Sequence, residues 1–355
     1  MKADKRLSNI RALLVQEGID GLLLNSEANV SYAAGFDAPD AYGFVSGKSV
    51  SIITDFRYVE DFKRFAKSPV HILQYEKSLF DTAARLILEH KTKKIGFEAR
   101  HLTFAECEVL NKLLGKKASF IPLQQTIEHL REIKDAQEIA HICQGIRIAQ
   151  KTLAFAKAKV KPGRSEMAVA ADIERFARLN GAHAVAFETI VASGPNSSYP
   201  HARPTDRILK EGDAVVVDMG VEVNGYKSDL TRTFFLGKIK PVVLKAAKVV
   251  RKAQELAIRG IKPGIPICSI DEIARHYIAQ QGFGKNFGHA LGHGVGLEVH
   301  ESPSINKKNT RKLEPGMVFT IEPGIYLPGR FGIRMEEMVL VTQEGVEVLS
   351  GNNRD

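Results

Sequence analysis

One hairpin signal in the second half of the chain constrains the fold more than any other feature. Asn224-Gly225 separates two stretches of alternating apolar and polar residues, and this dipeptide favours a two-residue type I′ turn. Counting residues outward from this turn along the two strands pairs Gly220 with Asp229. Asp218, two residues from Gly220, then lies on the same face of the hairpin as Gly220. We therefore predict that Asp218 and Asp229 are diagonal neighbours, with Cα atoms about 7–8 Å apart.

The surroundings of these two aspartates indicate a cation. Asp218 closes the apolar run 214–217, which is typical of a buried strand. Burying two carboxylates side by side is costly unless cations neutralise them. A purely structural alternative, in which one aspartate faces water and the other caps a turn, fits the apolar run less well than a metal site.

A weak internal repeat extends this pattern. The tripeptide at 161–163, Lys-Pro-Gly, recurs at 262–264, and the helices that follow stop at Gly181 and Gly282, so both features share an offset of 101 residues. Each tripeptide lies between two amphipathic helices, where proline and glycine commonly end one helix and form the turn to the next. Four features at nearly one offset, His201 and His300 among them, indicate duplicated halves, and a pseudo-two-fold axis would place a shared site between them.

The second half carries its own pair of acids in apolar surroundings. The run 318–321 leads into Glu322, and Glu336 precedes the apolar strand 338–342. Glu337 faces away from Glu336 because side chains alternate along a strand. Four converging carboxylates carry four negative charges, which two divalent cations balance and one does not.

Between these acids lies a glycine-rich segment, 288–301, with His289, His293 and His300. Glycine lets the backbone approach a ligand closely, and the zinc-protease motif HExxH is absent. A metal site made of these carboxylates and the imidazole of one histidine would suit Mn²⁺, Co²⁺, Fe²⁺ or Zn²⁺. Two such ions about 3.5–4 Å apart can share a bridging water and convert it to a hydroxide nucleophile, so the pattern predicts metal-assisted hydrolysis.

The first 125 residues have a different organisation. Helical spacing at 7–14, a strand at 22–24, a hairpin turning near Gly47 and further alternating helices and strands predict an α/β domain with a mixed sheet. This part has no cluster of metal-binding residue types and no phosphate loop. We divide the chain into domains 1–125 and 126–355.

Composition excludes several classes of protein. With 355 residues, 44% hydrophobic and 26% charged, the chain has the make-up of a globular protein of two domains. Three scattered cysteines and the lack of an apolar amino-terminal run predict a cytoplasmic location without membrane contact. The net charge of +9 raises the question of nucleic acid, but the basic residues are dispersed without an aromatic-basic motif, so we expect no nucleic-acid partner.

Four motifs resemble those of the pita-bread metallopeptidases, which include methionine aminopeptidase, prolidase and aminopeptidase P. The motifs are GYxSDxTRT (225–233), GHxxGHGxGLxxHE (288–301), TIEPGIY (320–326) and GIRxEE (332–337). The first 125 residues resemble the creatinase-type amino-terminal domain, through TDFRY at 54–58. The resemblance covers nearly the whole chain and implies an α/β (α+β) fold, with that domain followed by a duplicated pita-bread catalytic domain.

The resemblance also implies roles for individual residues. The implied metal ligands are Asp218, Asp229, His293, Glu322 and Glu336. Asp229 and Glu336 would bridge the two metals, Asp218 would hold one, and His293 with Glu322 would hold the other. The family often has Glu-Asp where this chain has Glu336-Glu337, which leaves the ligand itself in place.

Further residues match positions close to the substrate. They are His201, His289, His300 and Arg334. His300 would stabilise the tetrahedral intermediate by a hydrogen bond, and Glu322 would carry the proton to the leaving nitrogen. The chain would also form a homodimer.

The expected activity is that of a dinuclear exopeptidase that uses a metal-bridging hydroxide, with Mn²⁺ as the expected metal, and cleaves the Xaa-Pro bond at the amino terminus of peptides. We favour aminopeptidase P, with a prolidase restricted to dipeptides as the alternative. The amino-terminal domain argues against methionine aminopeptidase, and the complete ligand set argues against metal-free creatine hydrolysis or an inactive binding module. Loops such as 36–41 would set substrate length, and Arg203 and Arg334 are both available to bind a product-side carboxylate.

Overall fold

The computed structural model describes residues 2–47, 49–125 and 127–351. The chain forms two units, which divide between Arg131 and Glu132. The expected first and last residues of the second domain, 126 and 355, lie outside the described residues.

The first unit contains a six-stranded sheet and its helices. The helices are α1 (Lys2–Glu17), α2 (Glu27–Ala34), α3 (Phe56–Phe65), α4 (Leu79–Glu89) and α5 (Phe104–Leu114), and α6 (Ile127–Glu132) ends at the division. The strands are β1 (Gly21–Leu24), β2 (Tyr42–Ser46), β3 (Ser49–Thr54), β4 (Val70–Gln74), β5 (Lys94–Glu98) and β6 (Ser119–Leu123).

The sheet of the first unit is mixed, which confirms the prediction. Its order is β4-β3-β2-β1-β5-β6, with antiparallel pairing of β2 to β1 and β3 and parallel pairing elsewhere. All four residues of β1 are buried, as is typical of a strand covered on both faces. Helix α5 was not predicted, although Thr103 and Glu106 form a capping box at its start.

The second unit contains four long helices and thirteen strands among the residues described. The helices are α7 (Ala136–Lys159), α8 (Glu166–Leu179), α9 (Pro241–Gly260) and α10 (Ile267–Gln280). The strands are β7 (Ala184–Val185), β8 (Ile190–Ser193), β9 (Ala214–Met219), β10 (Val221–Val223), β11 (Tyr226–Lys227), β12 (Leu230–Phe235), β13 (Gly292–Gly294), β14 (Glu301–Ile305), β15 (Val318–Ile321), β16 (Gly324–Leu327), β17 (Phe331–Arg334), β18 (Glu337–Val341) and β19 (Val346–Val348).

The duplication predicted from the repeat is present in the backbone. Gly163 and Gly264 adopt φ of 87° and 86° in the turns between the two helix pairs. The Gly163 N–H donates to the Leu209 carbonyl, and the Gly264 N–H donates to the Leu313 carbonyl. Left-handed φ is the conformation that glycine adopts without steric cost, so the recurring tripeptides encode one turn twice.

Each half then places a helix pair against its own apolar core. One core extends from α7 and α8 to β9 and β12, and the other extends from α9 and α10 to β15 and β18. Strand β9 lies between β8 and β12, and β15 lies between β13 and β18. No helix among the described residues combines the length and the apolar character needed to cross a bilayer.

Candidate metal centre

The hairpin at Asn224-Gly225 has the predicted register. Both turn residues have positive φ, 52° and 79°, as a type I′ turn requires. Val223 pairs with Tyr226, and the same register continues into the pairing of Asp218 with Thr231. Asp218 and Asp229 are both buried, which confirms that two acids share this apolar hairpin.

The second half supplies its acids from equivalent places. Asp218 lies near the end of β9, and Asp229 directly precedes the partner strand β12. Glu322 directly follows β15, and Glu336 directly precedes β18, which pairs with β15. Each half thus delivers one acid from the end of a strand and one from the start of its partner.

The five predicted ligands meet in one place. Three overlapping groups each have donor atoms within 4.8 Å of one another: Asp218 with Asp229 and Glu336, His293 with Glu322 and Glu336, and Asp229 with His293 and His300. Glu336, Asp229 and His293 each belong to two groups. The donors are therefore arranged for two neighbouring cations that share ligands.

Three buried carboxylate oxygens in this cluster lack a hydrogen-bond donor among the described residues: Asp218 Oδ1, Asp229 Oδ1 and Glu336 Oε1. The companion oxygens are partly satisfied, since Thr231 donates to Glu336 Oε2 at 2.8 Å and Arg334 donates to Asp218 Oδ2 at 2.6 Å. A buried oxygen without a donor is costly unless a cation binds it. The residues present therefore fit divalent metal ions.

The orientation of His293 supports the same conclusion. Its Nδ1 lies 3.1 Å from the Gly294 carbonyl, which only accepts, so Nδ1 carries the proton. The unprotonated Nε2 then faces Asp229 Oδ2 at 3.5 Å and Glu322 Oε1 at 3.4 Å. Burial, followed by the charge of His300, lowers the pKa of His293 to about 4. A neutral imidazole that turns its lone pair toward carboxylates is suited to sharing a metal with them.

The protonation of the cluster also reflects its crowding. Burial raises the pKa of Asp229 and that of Glu336 well above the usual range for carboxyl groups, and the neighbouring carboxylates raise both further. Burial also raises the pKa of Glu322 to about 8. A bound cation would reverse this effect by favouring the ionised form.

Arg334 fixes one side of the cluster. Its side chain is 4% exposed, and its guanidinium donates to Asp218 Oδ2, Thr231 Oγ1 and the Pro200 carbonyl at 2.6–3.1 Å. It also donates to the Tyr326 hydroxyl at 2.8 Å. Four buried acceptors therefore hold this arginine beside the carboxylates, as a structural support of the site.

The three other predicted histidines occupy different settings. His289 Nδ1 lies 2.7 Å from the Ala290 carbonyl, so Nε2 accepts from the Tyr326 hydroxyl at 3.1 Å. Burial lowers the pKa of His289 to about 4. His300 packs edge-on against His293, with ring centroids 4.3 Å apart, and burial lowers its pKa. His201 is exposed and lines the same cavity as these rings.

The cavity that contains these groups has a volume of about 510 Å³. It is lined by all five predicted ligands, by His201, His289, His300 and Arg334, and by Phe187, Glu188, Ile190, Pro200, Ala202, Arg203, Ala290, Gly292 and Ser304. The structure therefore brings every predicted site residue to one cavity.

The structure confirms the predicted orientation of Glu337 and corrects the expected role of the glycines beside His293. Glu337 faces away from the cluster as predicted, since it accepts from Arg232 at 3.0 Å. The glycines beside His293 have a different role from the one expected. A Cβ at Gly292 would clash with the Thr320 carbonyl, and one at Gly294 would clash with the Ser302 carbonyl. These glycines make room for neighbouring backbone and not for a ligand.

Sequence reasoning missed three supporting residues. Thr231 connects Glu336 to Arg334, Tyr326 connects Arg334 to His289, and Thr320 lies beside Glu322, with its hydroxyl 3.4 Å from that carboxylate. Strand alternation offered a signal for Thr231, which is two residues from Asp229. Tyr326 and Thr320 lay inside a quoted motif but had no local feature that indicated their contacts.

Comparison with known families and structures gives consistent matches across both units. The profile of metallopeptidase family M24 matches residues 140–343, and that of the creatinase/prolidase N-terminal domain matches residues 6–133. The chain is 34% identical to the Xaa-Pro dipeptidase of Pyrococcus horikoshii over 99% of this chain and 98% of that protein.

Solved structures match with the same coverage. An Xaa-Pro dipeptidase from Bacillus anthracis superposes with a TM-score of 0.95 at 36% identity over 99% of both chains. An X-Pro aminopeptidase from Thermotoga maritima superposes with a TM-score of 0.88 at 33% identity over 95% of this chain and 97% of that one.

Proposed function

Since the chain belongs to metallopeptidase family M24, we propose that it is a dinuclear Xaa-Pro dipeptidase. The observation that carries this proposal is the set of buried carboxylate oxygens without donors among the described residues, on side chains that line a single cavity. Relatives named Xaa-Pro dipeptidase support the dipeptidase alternative better than the aminopeptidase P activity that we favoured from sequence. The T. maritima structure keeps activity on longer peptides as the second candidate.

We assign two divalent cations to the overlapping donor groups. Asp218, Asp229 and Glu336 would hold one cation, and His293, Glu322 and Glu336 would hold the other, with Asp229 also reaching the second. When bound, such ions supply charge neutralisation, a Lewis acid and a water nucleophile. The oxygen-rich donor set favours Mn²⁺, with Co²⁺, Fe²⁺ and Zn²⁺ as substitutes.

The chain's own residues would then act on the peptide. His300, partly exposed in the cavity, would donate a hydrogen bond to the oxygen of the tetrahedral intermediate. Glu322 would carry the proton to the leaving imide nitrogen, since its carboxylate lines the cavity beside His293. His201 and His289 would contact the substrate, and Arg334 would hold Asp218 in place.

Two further properties are part of the proposal. A cytoplasmic location is supported by three cysteines, Cys107, Cys143 and Cys268, all of which are free thiols. A homodimer rests on the family resemblance, and sedimentation would test it. A 39 kDa species that is fully active at nanomolar concentration would contradict it.

The proposed activity can be tested with two matched substrates. Hydrolysis of alanyl-proline and of alanyl-prolyl-alanine is measured side by side with added Mn²⁺. We expect kcat/KM for the tripeptide to be lower by about 10³-fold, which corresponds to about 4 kcal/mol of transition-state discrimination. Equal rates would support an aminopeptidase, and no hydrolysis of either peptide would overturn the proposal.

A further inference from the structure

The cavity presents two arginines, and the structure separates their roles. Arg334 is buried and donates to four acceptors, so it is not free to bind a substrate carboxylate. The Arg203 side chain is 81% exposed and pairs only with Glu188 among the described residues, with Nε 3.2 Å from Oε2. Both members of that pair line the cavity that contains the candidate metal ligands.

The other basic groups on the cavity wall include three histidines that already have partners. His289 contacts the Ala290 carbonyl and the Tyr326 hydroxyl. His293 contacts the Gly294 carbonyl and faces Asp229 and Glu322, and His300 packs against His293. A guanidinium remains charged at any physiological pH. Arg203 is therefore the permanent cation on the described cavity wall whose donors are not already committed to buried partners.

The backbone that carries Arg203 is fixed while its side chain is free. Glu166, fully buried, accepts from the Thr205 N–H at 3.1 Å and from the Thr205 hydroxyl at 2.7 Å. Asn196 also donates to Glu166, and its amide lies 3.4 Å from the Arg203 carbonyl. The anchored backbone keeps Arg203 at the cavity wall, and its exposed guanidinium is accessible to a ligand there.

We propose that Arg203 binds the free carboxylate of the proline residue and thereby selects dipeptides, with Glu188 as its counter-ion when no substrate is bound. This inference rests on the proposed Xaa-Pro activity. A guanidinium binds a carboxylate through two parallel hydrogen bonds. The exposed pair with Glu188 contributes little, so a substrate carboxylate can displace it. In a longer peptide the proline carboxyl is an amide and gains nothing from Arg203.

The test compares alanyl-proline with alanyl-proline amide, which differ in this carboxylate alone, using Mn²⁺-loaded protein. We expect Arg203→Met to lower kcat/KM for the acid about 10- to 100-fold, mainly through KM, and to change that for the amide less than twofold. Arg203→Lys should restore part of the loss, because it keeps the charge without the planar fork. Glu188→Gln should raise kcat/KM for the acid alone.

Arg175→Met is the matched control, since Arg175 is exposed on α8 and does not line the cavity. This variant should leave kcat/KM unchanged for both alanyl-proline and alanyl-proline amide. Equal losses on acid and amide in Arg203→Met would overturn the inference and leave the proposed activity standing. A wild-type protein that cleaves neither substrate would overturn the proposed activity itself, and the inference with it.

Discussion

Among the residues that the structure describes, each unit contains a cluster of acids with histidine, and only the cluster of the second unit has the properties of a metal centre. In the first unit, Glu98, His101 and Glu128 bring donor atoms within 4.8 Å of one another, as the ligands of the second unit do. By residue type this cluster matches the group of His293, Glu322 and Glu336 in the second unit. The hydrogen bonds of the two groups differ.

In the first unit the protein itself satisfies the buried acid. Glu98 Oε2 accepts from the backbone N–H groups of Asn25 and Ser26, and Oε1 accepts from the Asn29 amide. Asn29 also donates to Glu128 and accepts from Arg131 at 2.8 Å. The adjoining pocket has no room for a water molecule, whereas the cavity of the second unit has a volume of about 510 Å³.

The difference shows that missing donors, and not acidic residues as such, mark the metal centre. The Glu98 oxygens already have their hydrogen bonds, whereas Asp218, Asp229 and Glu336 each keep one buried oxygen without a donor among the described residues. A cation bound at the first cluster would have to displace backbone hydrogen bonds that each contribute to folding. We therefore expect metal only in the second unit.

The largest expected effect is that of Asp229→Asn. Its carboxylate belongs to two donor groups, so the substitution weakens both cation sites at once. We expect kcat/KM on alanyl-proline to fall by at least about 10³-fold, about 4 kcal/mol, with loss of metal by elemental analysis. Glu337→Gln is the control, because this acid faces Arg232 and should leave metal content unchanged. Near-full activity of Asp229→Asn would show that the bridging assignment is wrong.

The next effect concerns pH and metal removal. The pKa of Glu322 is raised from its usual 4.5 to about 8, and those of Asp229 and Glu336 are also raised. Protonated carboxyl groups then stabilise the metal-free fold below about pH 4.5, and this contribution is lost as pH rises through 8. The free energy of unfolding in EDTA should therefore fall between about pH 7 and 8.5. Below about pH 6.5 the lowered pKa values of His289 and His293 act in the opposite direction.

The Mn²⁺-loaded protein should lack this decline, because the cations hold the carboxylates ionised. Urea unfolding across the pH range measures both samples. The pKa of Glu98 is also raised by burial, but its contribution is common to the two samples and cancels in their difference. If the free energy of unfolding changed with pH in the same way with and without metal, the assignment of metal to the second unit would be wrong.

Sequence was sufficient where local periodicity decides the structure. The turn residues and the two-residue period predicted the register of the hairpin, in which the structure pairs Asp218 with Thr231. The recurring tripeptides predicted two equivalent helix turns. The contacts that support the site were not predictable in this way. Arg334 meets Thr231 across 103 residues and Asp218 across 116, and no local pattern encodes such contacts.

The same limit explains the first unit. Its mixed sheet followed from alternating helices and strands. The Glu98 cluster could not be predicted in this way, because its hydrogen bonds join residues that are distant in sequence. Glu98 and Asn29 are 69 residues apart, and Asn29 and Glu128 are 99 residues apart. Sequence therefore predicted the buried acids of the second unit but not Glu98, and only the structure distinguishes an acid with donors from one without.

A moderate effect is expected from Glu98→Gln. The glutamine side chain keeps one acceptor oxygen. Its NH₂ group replaces the other oxygen and cannot accept the hydrogen bonds that this oxygen receives. Leaving a buried donor unsatisfied costs about 1–3 kcal/mol, which urea unfolding would detect as a lower midpoint. Metal content and kcat/KM on alanyl-proline should stay within twofold of wild type. A loss of one metal equivalent would show that the first cluster also binds a cation.

The smallest effect is expected from Glu128→Gln. Its oxygen lies 3.2 Å from the Asn29 amide and 3.9 Å from His101 Nε2, and glutamine keeps an acceptor oxygen there. The loss should be below about 1 kcal/mol, as for other weakly held pairs near the surface. Because Asn29 donates to both acids, the double variant with Glu98→Gln should depart from additivity by at least about 0.5 kcal/mol. Strict additivity would show that the two acids do not act as one network, and the contrast with the metal centre would then rest on Glu98 alone.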